Sequence, residues 1–254
     1  MTLSASSAAA QWLNTQHDNM VALLADLVNI DTNSADKPGV ARLFRRLEAF
    51  FAEHGLTITP HFVNDVEASI SVTANPGSQI GKPVLLMGHC DTVFPAGEAA
   101  RRPFRIEGSR AYGPGVADMK AGIVMNAFIL AAVARHSDGL PEVHGLFTCD
   151  EEIGSPLSKD VIEPYARRVG FVFNAEPGRP SGNVVTGRRG GVFLNMDIQG
   201  KAAHSGANFA DGISAISELA HKIVALDELT DIDKGITLNV GLVSGGQSVN
   251  TSAP

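Results

Sequence analysis

Residues 83–91 read PVLLMGHCD, and they decide the fold class. The stretch 83–89 is almost wholly apolar, as expected of a central strand that is buried on both faces of a sheet. Further β-rich runs lie at 56–63, 68–73, 143–149 and 170–174, and apolar residues at helical spacing lie at 8–30, 38–54, 123–135 and 156–167. This alternation predicts an α/β fold in which a mostly parallel sheet is flanked by helices.

The pattern changes near Gly187. A strand is predicted at 191–200, a helix at 211–226 and another strand at 235–243. Two strands are too few to cover both faces of the helix, so this series indicates only part of a smaller α+β unit. We therefore expect a main α/β domain over 1–186 and a partial second domain over 187–254.

Composition narrows the class of protein. The chain has 254 residues, of which 44% are hydrophobic, 19% charged and 6% aromatic, which excludes disordered, collagenous and disulfide-framework proteins. The formal net charge is -7 with no basic run, so we expect no nucleic-acid partner. Cys90 and Cys149 each lie in an apolar run and are interpreted as reduced, buried thiols of a cytoplasmic protein. Without a signal-like start or a run of about 18 apolar residues, we also expect no export and no membrane contact.

The first chemical signal is the pair His89 and Asp91 at the end of the strand 83–89. Alternation along an extended segment points both side chains the same way, so the carboxylate can orient an imidazole that binds a metal ion. An H-x-D triplet alone has an equally simple structural explanation.

The sequence GPGVADMKAG at 113–122 places Asp118 in a glycine-rich turn, where it either faces a ligand or caps the following helix.

Two further acidic signals follow predicted strands. Glu151 and Glu152 come directly after 143–149, and Glu176 comes after 170–174. Two adjacent carboxylates repel each other unless a cation binds them or one of them takes up a proton. A solvated acidic loop is the simple alternative interpretation. Carboxyl ends of parallel strands meet at one edge of a sheet, so these residues converge with His89. Such a set fits two-metal hydrolysis, in which ions roughly 3.5 to 4 Å apart share a water.

The motifs GHCDTV, GPGVADMKAG, DEEIGS and AEP, in this order, resemble the family of zinc aminoacylases, acetylornithine and succinyl-diaminopimelate deacylases and glutamate carboxypeptidases. The sequences of the second motif and of KAAHSG at 201–206 are most similar to those of the glutamate carboxypeptidase branch. The resemblance implies a two-zinc hydrolase, with Co²⁺ or Mn²⁺ as possible substitutes. It would cleave an amide bond next to a free carboxylate in a small acyl-amino acid or dipeptide.

The resemblance also implies roles for individual residues. His89 and Glu176 would bind one zinc ion, Glu152 the other, and Asp118 would bridge the two. Asp91 would orient His89. The remaining residues would act on the substrate. Glu151 would be the general base, and His204 would reach the partner subunit of a homodimer and polarise the carbonyl. Asn250 would bind the substrate, and Arg188 and Arg189 would be anion contacts. A loop histidine and surface arginines are the alternatives for the last group.

Family members continue beyond the position that matches Pro254 and supply there a last histidine ligand for the zinc held by Glu152. Three interpretations therefore remain open. The chain is part of a longer carboxypeptidase-like or deacylase enzyme, or a truncated non-catalytic relative that binds metal or dimerises, or an unrelated α/β binding protein with acidic strand ends.

Overall fold

The computed structural model describes residues 5–178, 180–187 and 190–254. The chain forms two compact units, Met1–Val184 and Val185–Pro254. Within its described residues, the first unit has seven strands: β1 (Ile58–Val63), β2 (Val66–Ala74), β3 (Val84–His89), β4 (Arg105–Glu107), β5 (Arg110–Tyr112), β6 (Val143–Thr148) and β7 (Phe171–Asn174). Its helices are α1 (Ala5–Asn14), α2 (His17–Val28), α3 (Lys37–Glu53), α4 (Glu98–Arg101), α5 (Ala121–Arg135) and α6 (Lys159–Ala166).

Five strands form one mixed sheet in the order β1-β2-β6-β3-β7. The pairs β6/β3 and β3/β7 are parallel, whereas β1/β2 and β2/β6 are antiparallel. The predicted α/β fold is confirmed, and its parallel part is the half that contains β3. The β1/β2 pair is antiparallel because only Asn64 and Asp65 connect the two strands, and both adopt positive φ, as a tight hairpin turn requires.

Helix α3 shows how the sequence builds the core. Apolar residues at helical spacing are buried along one face of it: Val40, Leu43, Phe44, Leu47, Phe50 and Phe51. The helix begins after Asp36, whose side chain accepts a hydrogen bond of 3.0 Å from the Gly39 amide. Residues of α2, α5 and the sheet join the same apolar cluster. The single helix predicted over 8–30 is wrong, because the chain turns at Thr15 and Gln16 between α1 and α2.

One helical stretch is long and apolar enough to cross a membrane, contrary to our expectation. Within the described residues, it consists of the turn Val116–Lys120 followed by α5, and its mean hydropathy is 1.6. Length and composition are the only grounds for this assignment. Of that stretch, 67% is buried inside the fold, and α5 packs within the core cluster. Its apolar composition is therefore that of a central core helix.

The second unit contains helix α7 (Ala215–Asp227) but, in the described residues, neither of the two predicted strands. The expectation of strands at 191–200 and 235–243 is wrong, since only isolated bridges such as Lys201 with Ile213 form. A strand requires a partner along its length, and in the described residues 235–243 pairs only at the bridge of Ile236 with Asp231, while 191–200 forms no bridge. Apolar side chains that a sheet would bury are exposed instead, including Phe193 at 86% and Leu242 at 96%.

The cap of α3 yields a stability prediction. Replacing Asp36 by Ala should lower the free energy of unfolding by about 1 kcal/mol, because the Gly39 amide loses its acceptor. Asp36→Asn keeps an acceptor oxygen and should stay close to the native value. Urea unfolding of the three proteins measures the difference. Equal losses in both variants would contradict a capping role.

Candidate metal centre

The parallel strands β6, β3 and β7 end at one edge of the sheet, and the predicted site residues follow those ends. His89 is the last residue of β3 and lies opposite Thr148, the last residue of β6. Glu151 and Glu152 then begin a single 3-10 turn. Glu176 comes two residues after β7. The sheet therefore brings together groups that are up to 87 positions apart, from residue 89 to residue 176.

Four carboxylates surround one imidazole nitrogen. The Nε2 atom of His89 lies 3.1 Å from Asp118 Oδ1, 3.6 Å from Glu176 Oε1 and 3.9 Å from Glu151 Oε2. Ligand atoms of His89, Asp118 and Glu152 lie within 4.8 Å of one another, and so do those of His89, Glu151 and Glu176. Each group has the donors that a divalent ion requires, and His89 belongs to both.

The charges of this cluster need compensation. Burial raises the pKa of Glu152 and of Glu176; the positive charge of His89 opposes this shift, while the carboxylates of Asp118 and Glu151 add to it. A bound cation removes this repulsion. Imidazole with several carboxylates is a donor set that suits zinc, and also cobalt or manganese. The residues therefore fit the metal that the resemblance implies.

Asp91 is fully buried, and its hydrogen bonds fix the positions of groups in the candidate metal centre. Its carboxylate accepts hydrogen bonds from Ser34 Oγ at 2.6 Å and from the backbone amides of Glu151 and Glu152 at 3.1 and 3.2 Å. Burial alone would raise the pKa of Asp91, but hydrogen bonds from His89 and Ser34 outweigh it and lower the pKa. Asp91 is therefore ionised, and it positions both neighbouring acids through their main chain.

The ring of His89 has its two nitrogens in different surroundings. Nδ1 lies 3.0 Å from the backbone oxygen of Asp91, which only accepts, so Nδ1 donates and Nε2 faces the carboxylates. Burial lowers the pKa of His89, but the side-chain hydrogen bond and charge of Asp91, with the charges of Glu176 and Glu151, raise it to about 9. Without a metal ion, the ring is therefore an imidazolium at neutral pH.

Asp118 belongs to a turn and does not cap α5. The turn Val116–Lys120 precedes the helix, and the backbone of Asp118 is extended. Gly115 enters this turn at φ 70°, and a Cβ there would lie 2.6 Å from Thr92 Cγ2. A glycine is therefore required both for the backbone angle and for the close approach. The alternative in which Asp118 is a helix cap does not hold.

Sequence reasoning missed two residues that support the centre. Ser34 has no motif of its own and is significant only through its bond to Asp91. Lys120 lies in the quoted turn, where it is buried and donates a hydrogen bond of 2.8 Å to the Ile30 carbonyl. Burial lowers the pKa of Lys120 to about 8. A charged residue inside the apolar-flanked sequence ADMKAG was the only available signal for it.

The second unit contains the other predicted residues. His204 is exposed, and its Nδ1 accepts hydrogen bonds from the amides of Gly206 and Ala207 at 3.1 and 3.2 Å. Nε2 therefore carries the proton of the neutral ring. The backbone oxygen of Asn250 accepts from the Ser205 amide at 2.9 Å, so Asn250 lies beside the His204 loop. Arg188 and Arg189 lie outside the described residues.

Solved structures share this fold. A tripeptidase from Staphylococcus aureus subsp. aureus Mu50 superposes with a TM-score of 0.61 at 19% identity, covering 92% of this chain and 62% of its own. An aminobenzoyl-glutamate utilization protein from Klebsiella pneumoniae has a TM-score of 0.61 at 11% identity, covering 96% and 66%. At these identities the likeness concerns the fold alone.

Sequence comparison gives closer relatives. Carboxypeptidase G2 of Pseudomonas sp. (strain RS-16) is 32% identical over 236 residues, which cover 91% of this chain and 56% of that protein. Acetylornithine deacetylase of Vibrio campbellii is 30% identical, covering 84% and 58%. The chain thus spans less than two thirds of the length of these relatives. Residues 85–249 match the profile of peptidase family M20/M25/M40, and this match includes every strand end of the centre. The chain is therefore a member of peptidase family M20/M25/M40.

Proposed function

We propose that the protein hydrolyses an amide bond next to a free carboxylate in a small acyl-amino acid or dipeptide, as a glutamate carboxypeptidase-type enzyme with two zinc ions. One observation carries the proposal: four carboxylates and one imidazole converge at the ends of three parallel strands. The relative named carboxypeptidase G2 supports the carboxypeptidase assignment. Relatives named acetylornithine deacetylase and succinyl-diaminopimelate desuccinylase favour N-acyl-amino-acid deacylation as the alternative.

In this proposal His89 and Glu176 would hold one ion, Glu152 would hold the other, and Asp118 would serve as a ligand to both. The 3.1 Å distance from Asp118 Oδ1 to His89 Nε2 supports the central place of Asp118. When bound, two zinc ions supply a water of lowered pKa and polarise the scissile carbonyl. Asp91 keeps the Nε2 atom of His89 aimed at the centre through the hydrogen bond of Nδ1.

Glu151 is the proposed general base. Its side chain is 51% exposed, and Oε2 lies 3.9 Å from His89 Nε2, so it borders the centre while remaining open to a substrate. Its backbone amide donates to Asp91, which fixes the main chain from which the carboxylate extends. Glu151 takes a proton from the attacking water and delivers it to the leaving nitrogen.

Residues of the second unit complete the proposal. His204 donates from Nε2 to the developing oxyanion of a partner subunit, while Asn250 and Arg189 bind the substrate carboxylate. The exposed apolar side chains of this unit, such as Phe193, support a homodimer formed through it. The free, buried thiols of Cys90 and Cys149 support a cytoplasmic location.

A pair of matched variants separates the two adjacent acids. Glu151→Gln should lower kcat for N-acyl-glutamate hydrolysis at least about 100-fold while zinc content stays near the native level, because only the base is lost. Glu152→Gln should lower zinc content as well. Turnover and elemental analysis measure both effects. If Glu151→Gln loses zinc and Glu152→Gln does not, Glu151 is the metal ligand and Glu152 is the base. Native-like turnover in both variants would contradict the proposed function.

Metal binding should also release protons. Because the pKa of His89 is raised to about 9 in the metal-free protein, the ring must lose a proton before Nε2 can bind zinc. Close to one proton or more should be released at pH 7, and zinc affinity should rise about tenfold per pH unit between pH 6 and pH 8. Calorimetric titrations in buffers of different ionisation enthalpy measure this release. Binding without proton release at pH 7 would show that His89 is not a ligand.

A further inference from the structure

A cavity of about 430 Å³ adjoins the candidate metal centre in the first unit. Asn33 and Ala35 in the loop before α3 form one wall with Lys37, the first residue of α3, and Val93 forms another. Glu152 also lines the cavity, and its ligand atom lies within 4.8 Å of those of His89 and Asp118. A molecule whose scissile bond lies at the centre can therefore extend one end into this cavity.

Lys37 gives the cavity a positive charge. It is half-buried, its Nζ lies 4.0 Å from Cys149 Sγ, and no residue in the described part of the chain forms an ion pair with it. Lys37 also lines a second cavity, of about 330 Å³, together with Asp65 and Glu67. Of the neighbouring acids, Asp36 caps α3 and Glu67 pairs with Arg45. Placing an ammonium group in a partly buried position without a carboxylate partner costs free energy that an anionic ligand recovers.

Other lining residues define what else the ligand needs. The Asn33 side-chain oxygen accepts from the Ala35 amide at 3.0 Å, and no described residue uses its Nδ2 as a donor. Val93 and Ile153 are large apolar side chains that are 62% and 55% exposed. The cavity thus offers a charged donor, a neutral donor and apolar walls, with the Glu152 carboxylate at the side of the metal centre. This combination suits a short methylene chain that ends in a carboxylate.

We infer that this cavity receives the acyl half of the substrate and that Lys37 selects acyl groups ending in a carboxylate, such as N-succinyl or N-glutaryl groups. The inference rests on the proposed function, which assigns the carboxylate beside the scissile bond to Asn250 and Arg189. The cavity is then left for the opposite end of the substrate. Lys37 acts as a specificity-determining residue, and the reaction itself is unchanged.

The test compares charged substrates with neutral substrates of the same shape. N-succinyl- and N-glutaryl-L-glutamate are paired with analogues whose terminal carboxylate is replaced by a carboxamide. For the zinc-loaded protein, both the dissociation constant and kcat/KM are measured. The native protein should prefer the charged member of at least one pair, and Lys37→Met should reduce that preference about tenfold. Lys37→Arg should retain most of it.

Controls distinguish this inference from the proposed function. Lys159→Met removes one positive charge from an exposed site on α6 and should leave the preference unchanged. Lys37→Gln provides a second neutral variant if the methionine variant does not fold. A native protein without preference, or a preference that survives in both neutral variants, would overturn the inference. If no substrate is hydrolysed but Lys37→Met still loses the binding preference, the proposed function fails, and only the part of the inference that makes Lys37 an anion contact of this cavity stands.

Discussion

The buried carboxylate of Asp91 connects three parts of the chain that are distant in sequence. It accepts from the Ser34 hydroxyl in the loop before α3, from two backbone amides after β6, and it lies beside the imidazole of His89 at the end of β3. A fully buried charge is tolerated only when its hydrogen bonds are satisfied. Asp91 therefore fixes the relative positions of the strand ends, and the geometry of the centre depends on it.

The sheet provides the second constraint. Because β6, β3 and β7 are parallel, their carboxyl ends lie side by side, and the acids that follow them are forced close together. The glycine-rich turn adds Asp118, whose Oδ1 lies 3.1 Å from His89 Nε2. Such crowding of like charges is unfavourable in a metal-free protein, as the raised pKa values of Glu152 and Glu176 indicate. Such a cluster of carboxylates is the arrangement expected of a cation-binding site.

Much of the first unit could be predicted from the sequence, because apolar periodicity and strand-end acids are local signals. The runs at 83–89 and 143–149 became β3 and β6, and the motif residues His89, Asp118, Glu151 and Glu176 converge as expected. Ser34 and Lys120 could not be found in this way, since each is significant only through one long-range contact. In the second unit, alternation of apolar residues suggested strands, but alternation supplies no pairing partner, and the described segments form no ladder beyond the bridge of Ile236 with Asp231.

The central claim is that the strand-end carboxylates and His89 bind two metal ions. The most direct measurement is the zinc content of the purified protein by elemental analysis after dialysis against metal-free buffer. The account predicts close to two zinc ions per chain. A protein that retains no zinc, while circular dichroism shows it to be folded, would contradict the claim.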